Sequence, residues 1–370
     1  MNFKNPQKKT ICLNMIVKDE SKVILRCLKS VIPLIDYWII VDTGSTDGTQ
    51  KIITEFMKSK SISGELHERS WINFAHNRNE ALALAKGKGD YLFFIDADDY
   101  LVFDDDFKLF IPPQQDSYLI ISDKNGVIHS RTQLVNNALD WQWIGDVHEY
   151  ITSLAAKTSA VLEKITTVYT MEGSRIATKQ KFKSDIEILE ESLKKNPENP
   201  RNTFYLAQSY RDFGDLPKAL EYYQKVIVIG VSEQEIFWSM LQVAHLQRAL
   251  DKSLETFIAS YYEAYYYRPT RIEPIYYLAS YYRLQNNYEL AYKHASIGKT
   301  IIFPSDTLFV EKWIYDFGMW YELLVSAYYL KKYEECDKLC RILLNNLKLP
   351  DNYRKNIEMY QSLAKLQLQK

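Results

Sequence analysis

The sequence predicts two successive architectures: an α/β domain with a Rossmann-like, mainly parallel sheet over residues 1–178, then an all-α superhelical repeat domain over residues 179–370. Three observations predict them. In the first half, short apolar runs alternate with helical segments, and each run ends in carboxylates. From about Lys179 strand signals fade, and the loops are marked by Pro197, Pro200, Gly214, Pro269, Pro274, Pro304 and Pro350. Within that half, small residues and tyrosines recur at a period of about 34 residues, the spacing of stacked helix pairs.

The first run, 10–17 (TICLNMIV), is β-branched and apolar, hence a strand. It ends in Lys18-Asp19-Glu20, and Ser21 is placed to cap a helix over 22–32. The second run, 37–41 (YWIIV), ends in Asp42. The turn Thr43-Gly44-Ser45-Thr46-Asp47-Gly48-Thr49 follows it, rich in cap-forming residues, and opens a helix over 50–60. A helix over 71–86 carries Asn77, Arg78 and Asn79 ahead of an alanine-rich face. The third run, 91–95 (YLFFI), is uninterrupted, as suits a strand buried on both faces, and Asp96, Asp98 and Asp99 follow at once. A further strand is expected at 118–122.

In open α/β sheets the ligand lies beyond the carboxyl ends of the strands. Asp19/Glu20, Asp42 and Asp96/Asp98 should therefore meet on one edge. Clustered carboxylates are costly unless a cation sits among them, and Mg²⁺ or Mn²⁺ carrying phosphates suits such oxygens. No phosphate-cradling G-x-x-x-x-G-K-[ST] is present, and no glycine-rich turn follows the first strand. Gly87-Lys88-Gly89 precedes a strand and reads as a turn. The phosphates of any nucleotide would fall to a metal and basic side chains. Asp104-Asp105-Asp106 reads as a solvated loop.

Segment 141–150 (WQWIGDVHEY) combines two tryptophans with Asp146, His148 and Glu149. Indole faces stack on sugar C–H surfaces, and a His beside a Glu can divide labour between metal and base.

The totals narrow the class. At 370 residues, with 46% hydrophobic and 25% charged residues, the chain has ample core for two domains. A net charge of −1 gives no electrostatic case for nucleic acid or an anionic membrane surface. The polar, lysine-bearing first ten residues do not read as a signal peptide, and no apolar run approaches the roughly 20 residues of a membrane span. Four cysteines make no disulfide framework, and Cys336 and Cys340 read as buried thiols. The expectation is a soluble, cytoplasmic protein.

In the second half, Leu206-Ala207-x-x-Tyr210 is followed by Gly214, Ala219 and Tyr223. Leu278-Ala279-x-x-Tyr282 is followed by Tyr288, Ala291 and Ala295. A blurred copy holds Ala244, Phe257, Tyr261, Ala264 and Pro269, and a fourth holds Ala327, Tyr333, Cys336 and Cys340. Such pairs bury their faces only by stacking, so a superhelix of tetratricopeptide (TPR) type is expected, with most tyrosines in its core. Self-association as a homodimer through these helices is a further expectation.

Four segments together carry a resemblance: 11–20, Val41-Asp-Thr-Gly-Ser-Thr-Asp-Gly-Thr49, Trp71-x-x-Phe-Ala-x-x-Arg-Asn79 and Phe94-Ile-Asp-Ala-Asp-Asp99. In this order they resemble family 2 glycosyltransferases of the GT-A fold, over roughly residues 10–178. The resemblance implies an inverting transferase with a nucleotide-diphosphate sugar donor, of UDP-glucose or UDP-GlcNAc type, and commonly Mn²⁺ or Mg²⁺. Carried over, Asp42 resembles the carboxylate that bonds uracil N3, Asp96 the ribose contact and Asp98 the metal ligand of the D-x-D motif. Arg78, with Asn77, resembles a nucleotide contact, and Asp99 either assists the donor sugar or caps the next segment. The Val-His-Glu of 147–149 resembles a subfamily in which TPR-like helices follow the transferase domain; it implies a glycan, lipid-linked or peptide acceptor, with His148 set at the metal or diphosphate ahead of a structural role. For the base that the family resemblance implies, Glu149 is the first choice and Asp146 the second. The further C-terminal histidine ligand of many relatives is missing from 168–175, where Arg175 is the candidate for the diphosphate. Two other readings remain beside this one. A nucleotidyltransferase would share the carboxylates and metal but want a basic glycine-rich loop after the first strand. A non-catalytic TPR scaffold would leave the acidic edge without a purpose.

Overall fold

The computed structural model describes residues 9–107, 114–170, 172–173, 179–346 and 349–369. The first half is built on β1 (Ile11–Val17), α1 (Ile24–Val31), β2 (Tyr37–Asp42), α2 (Thr49–Ser59), β3 (Gly64–Glu68), α3 (Phe74–Leu84) and β4 (Tyr91–Phe93). There follow β5 (Tyr100–Phe103), β6 (Ser117–Lys124), β7 (Val127–Asn136), β8 (Gln142–Ile144), β9 (Tyr150–Thr152) and β10 (Ser159–Val168). The main sheet runs β3-β2-β1-β4-β7-β6-β10-β5. Its first four strands are parallel, with Val17 opposite Asp42 and Leu13 opposite Phe93. Strand β7 then runs antiparallel to both β4 and β6. Strands β8 and β9 form a separate small hairpin.

Strands β2, β1 and β4 are covered on both faces, which is why they read as continuous apolar runs. Ile11, Leu13 and Met15 of β1 pack with Ile24, Leu28 and Val31 of α1. Cys12, Ile39 and Leu92 face the other way, against Ala85 and Trp143. At about 25 cal/mol per Å² of apolar surface buried, these two layers are the main source of the domain's stability.

Several expected elements differ in detail. The strand expected over 91–95 stops at Phe93, where Phe94 N–H turns to the Gln133 carbonyl and Gln133 Nε2 donates back to the Phe94 carbonyl. Strand β3, Gly-Glu-Leu-His-Glu, escapes pattern reading because it is a polar edge strand, which charges protect from unwanted pairing. Gly64 opens it of necessity: a Cβ there would fall 2.3 Å from the Trp38 ring. Ser21 does not cap α1; its N–H donates instead to Asp47, and the helix starts at Ile24. Helix α3 starts at Phe74 under an Asn73 cap whose side chain accepts from His76 N–H.

Helices take over at α4 (Lys179–Lys195) and α5 (Pro200–Phe213). The compact units nonetheless divide at Phe213 and Gly214, so this first helix pair groups with the sheet. The second unit holds α6 (Leu216–Ile229), α7 (Glu233–Ala249), α8 (Leu254–Tyr267), α9 (Glu273–Leu284) and α10 (Tyr288–Gly298). It closes with α11 (Met319–Tyr329), α12 (Tyr333–Leu344) and α13 (Asp351–Leu368). Side chains of Asp215, Ser232, Ser253 and Asn287 cap four of these helices. Successive helices pack on one another, with Ala244, Tyr261, Ala264, Leu278, Ala279, Ala291, Ala295, Ala327, Cys336 and Cys340 fully buried between them. Small residues let one helix approach the next, and large ones fill the gaps, as TPR-like stacking requires. Among the described residues no helix is long and apolar enough to cross a membrane.

Charge is buried in this second unit. Arg271 is wholly enclosed and pairs with Glu273 at 2.7 Å and Asp306 at 3.1 Å. Glu311 lies beside them, accepting from Tyr277 at 2.7 Å; burial, with Glu273 nearby, pushes its carboxyl up to about 7 against the relief that Tyr277 and Arg271 give. A carboxyl raised in the folded state favours folding below its unfolded value, and that contribution is lost as pH rises toward 7. Replacing it, as Glu311→Gln, is therefore expected to flatten the decline in thermal midpoint between about pH 4.5 and 7. Scans of wild type and variant across that window check it; parallel curves would show that Glu311 does not titrate there.

Candidate functional site

Three loops meet at the carboxyl ends of the parallel strands, and short polar bonds knit them. Asp19, held at φ +54°, accepts from Thr46 N–H at 2.7 Å, while Ser45 Oγ accepts from Asp19 N–H. Glu20 N–H donates to Thr49 Oγ1, and Ser21 N–H to Asp47. The Asp19 carboxylate and the backbone N–H groups of residues 19–21 thus tie the first loop to the second.

Asp42 ends β2 and is fully buried. Its Oδ1 accepts from Gly44 N–H, Ser45 N–H and Gln50 Nε2 at 2.8–3.1 Å. Its Oδ2 is buried with no hydrogen-bond partner in the structure. Leaving a carboxylate oxygen unsatisfied is expensive, so such an atom is a site poised for a donor.

Beyond β4, the acidic turn is laced to two arginines. Arg78 Nη2 donates to Asp96 Oδ1 at 2.7 Å, and Arg78 Nε to Glu149 Oε1 at 2.8 Å. Arg131 spans Asp96 at 3.2 Å and Asp99 at 2.9 Å. The chain runs Glu149, Arg78, Asp96, Arg131, Asp99. Although burial opposes ionisation, the two guanidiniums hold Asp96 well below the usual carboxylate range. Asp99, wholly buried, goes the other way: burial, then Asp96, pushes it up to about 7 despite Arg131. Asp98 is also raised by burial and by Asp96, and its Oδ2 has only a long 3.3 Å contact from Gly173 N–H.

The hairpin β8–β9 brings the remaining candidates. Asn79 clamps it, its amide donating to the Trp143 carbonyl and accepting from Trp143 N–H, both at 2.9 Å. The Trp143 ring lies under the Arg78 guanidinium at 4.9 Å. Gly145 takes φ +115°, and a Cβ there would come within 3.3 Å of Glu149 Cα, so the turn that aims Glu149 wants glycine. Asp146 accepts from Ser192 Oγ at 2.6 Å, and the His148 ring stacks on Tyr205 at 4.3 Å.

The structure therefore joins Arg78, Asp96, Asp99 and Glu149 in one network, with Asp98 beside it. Asn77 does not join: its amide is fully buried, donating to the Ser70 carbonyl and Glu80 and accepting from Ile72 N–H. Arg175 lies outside the described residues. Arg131 and Arg26 carry no motif, and only the fold shows their place; Arg26 donates to the Asp98 carbonyl at 2.8 Å and to Glu172. Among the described residues no group of three His, Cys, Asp or Glu could hold a metal by itself. One underused carboxylate, Asp98, fits a cation that completes its shell with phosphate oxygens, the usual mode for Mg²⁺.

Residues 12–142 match the family model "Glycosyl transferase family 2". A TPR repeat-containing protein of Synechococcus elongatus is 39% identical over 93 residues, 25% of this chain and 21% of that protein. The glycosyltransferase SunS of Bacillus subtilis is 27% identical over 234 residues, 59% of this chain and 53% of that protein. The matches thus span about a fifth and about half of these curated relatives. Among solved structures, the C-terminal part of a TPR repeat-containing protein from Cytophaga hutchinsonii is 20% identical, with TM-score 0.38, covering 50% of this chain and 67% of that one. MamA is 16% identical, with TM-score 0.36, covering 46% and 91%. Scores at this level carry no argument, and the repeat architecture rests on the helix pairs themselves. The sheet with its acidic edge and the family match converge: residues 12–142 form a glycosyl transferase family 2 domain, followed in this chain by TPR-type helices.

Proposed function

We propose that the chain is an inverting, metal-dependent glycosyltransferase that moves a sugar from a UDP-sugar to a glycan, lipid-linked or peptide acceptor. The observation that carries the reading is the buried, unpartnered Oδ2 of Asp42 at the end of a parallel strand. A carboxylate there accepts the ring N–H of a base such as uracil and rejects bases that present only an acceptor at that position. Asp96 serves the ribose hydroxyls, and Arg78 and Arg131 keep it ionised as it does so. Asp98 would hold Mn²⁺ or Mg²⁺; when bound, the ion offsets charge on the leaving diphosphate. Glu149 takes the acceptor's proton as the sugar migrates, and its bond to Arg78 orients it. Asp99, wholly buried, accepts from Arg131 and from Thr170 N–H and so holds Arg131 in place against Asp96. UDP release from a panel of UDP-sugars with Mn²⁺ tests the proposal. Wild type is expected to release UDP from one of them, and Asp98→Ala to release little. No sugar-dependent release, or release indifferent to Asp98, would overturn it.

A further inference from the structure

Glu149 sits in a loop of unusual backbone, with Gly145 and His148 at φ +115° and +55°. Arg78 of α3 holds its carboxylate. The residues around it are held by the first helix pair, α4 and α5. Arg201 of α5 donates from Nη2 to the His148 carbonyl at 2.8 Å, and its guanidinium lies over the Tyr150 ring at 4.3 Å and the Tyr205 ring at 4.8 Å. Tyr205, one turn on, stacks on the His148 imidazole with the rings 16° apart. In α4, Ser192 Oγ donates to Asp146, and Asn202 Nδ2 of α5 donates to Ser192 Oγ at 2.8 Å. A ring stack Tyr150–Arg201–Tyr205–His148 and a hydroxyl link thus grip residues 146, 148 and 150, leaving Glu149 between them. A left-handed, non-glycine residue such as His148 persists only where its surroundings over-determine it.

We infer that α4 and α5 form a latch that positions the Glu149 loop, with Arg201 and Tyr205 as positioning residues and Ser192 as a lesser one. The inference rests on the reading of Glu149 as the base. Neither helix touches the donor carboxylates Asp42, Asp96 or Asp98 through any of these bonds. Loosening the latch should therefore cost turnover while sparing nucleotide binding.

The test uses the full chain as wild type, Arg201→Ala, Tyr205→Ala, Tyr205→Phe and the milder Ser192→Ala. Hydrogen exchange of residues 145–150, UDP affinity in Mn²⁺ by calorimetry, and UDP release from UDP-glucose and UDP-GlcNAc are measured on each. Loss of a bond from a charged donor or of the stack is expected to speed exchange in the loop roughly tenfold or more. UDP affinity should hold, UDP release should fall through kcat rather than KM, and Tyr205→Phe, which keeps the stack, should restore both loop exchange and release. Ser192→Ala should lie between. Loop exchange unchanged in Arg201→Ala and Tyr205→Ala would overturn the latch, as would a parallel loss of UDP affinity and thermal midpoint. If the wild type releases no UDP, the transferase reading fails, while loop exchange still decides the latch.

Discussion

A Glu149→Gln variant is expected to bind UDP as the wild type does and to lose UDP release from the donor sugar by about 10²–10⁴-fold, the contribution of a positioned general base. The substitution preserves shape, and its amide oxygen still accepts from Arg78 Nε, so the loop should keep its geometry. What disappears is the capacity to take a proton. Asp146, the other candidate, is exposed and tied to Ser192, whereas the Glu149 side chain is only 10% exposed and bonded within the network. The parallel variant Asp146→Asn, whose amide oxygen can still accept from Ser192 Oγ, is thus expected to change little. Steady-state release and calorimetric UDP affinity on both variants check the pair. An unchanged rate in Glu149→Gln would remove it from the base role.

The second large effect falls on stability. Arg78 is only 13% exposed and bonds two carboxylates through different nitrogens. Arg78→Met strips both at once; Asp96 keeps Arg131, but Glu149 is left uncompensated, and such a charge in these surroundings costs about 3–5 kcal/mol. In a unit of this size that is a fall in thermal midpoint of roughly 6–20 °C. Arg78→Lys should recover little of it, because a single ammonium cannot span Asp96 and Glu149 as the planar guanidinium does. Thermal unfolding of the three forms checks the prediction; a lysine variant as stable as wild type would show that charge alone matters there, not the fork.

The acidic edge was legible because strand ends in a parallel sheet are legible. An apolar run buried on both faces has one pattern, and the residues that follow it must emerge at the carboxyl end. Asp42, Asp96, Asp98 and Asp99 could be placed from that alone, together with the two-part architecture. The edge strand β3 and the antiparallel β7 could not, since a half-exposed or polar strand shares its composition with a loop.

Helical spacing in the second half likewise exposed the stacked pairs, since small and large residues must recur where helices touch. Asn77 and Arg78 show where this kind of reading ends. Adjacent on one helix, they look alike as candidates, yet one amide is spent on the turn at 70–72 and one guanidinium joins two distant loops. Arg131 belongs to the network only because β7 lies beside β4. Sequence alone determined which residues stand at the ends of strands. The tertiary structure decided their partners: pairing across 71 residues, as between Arg78 and Glu149, depends on how the chain returns and not on any local spacing.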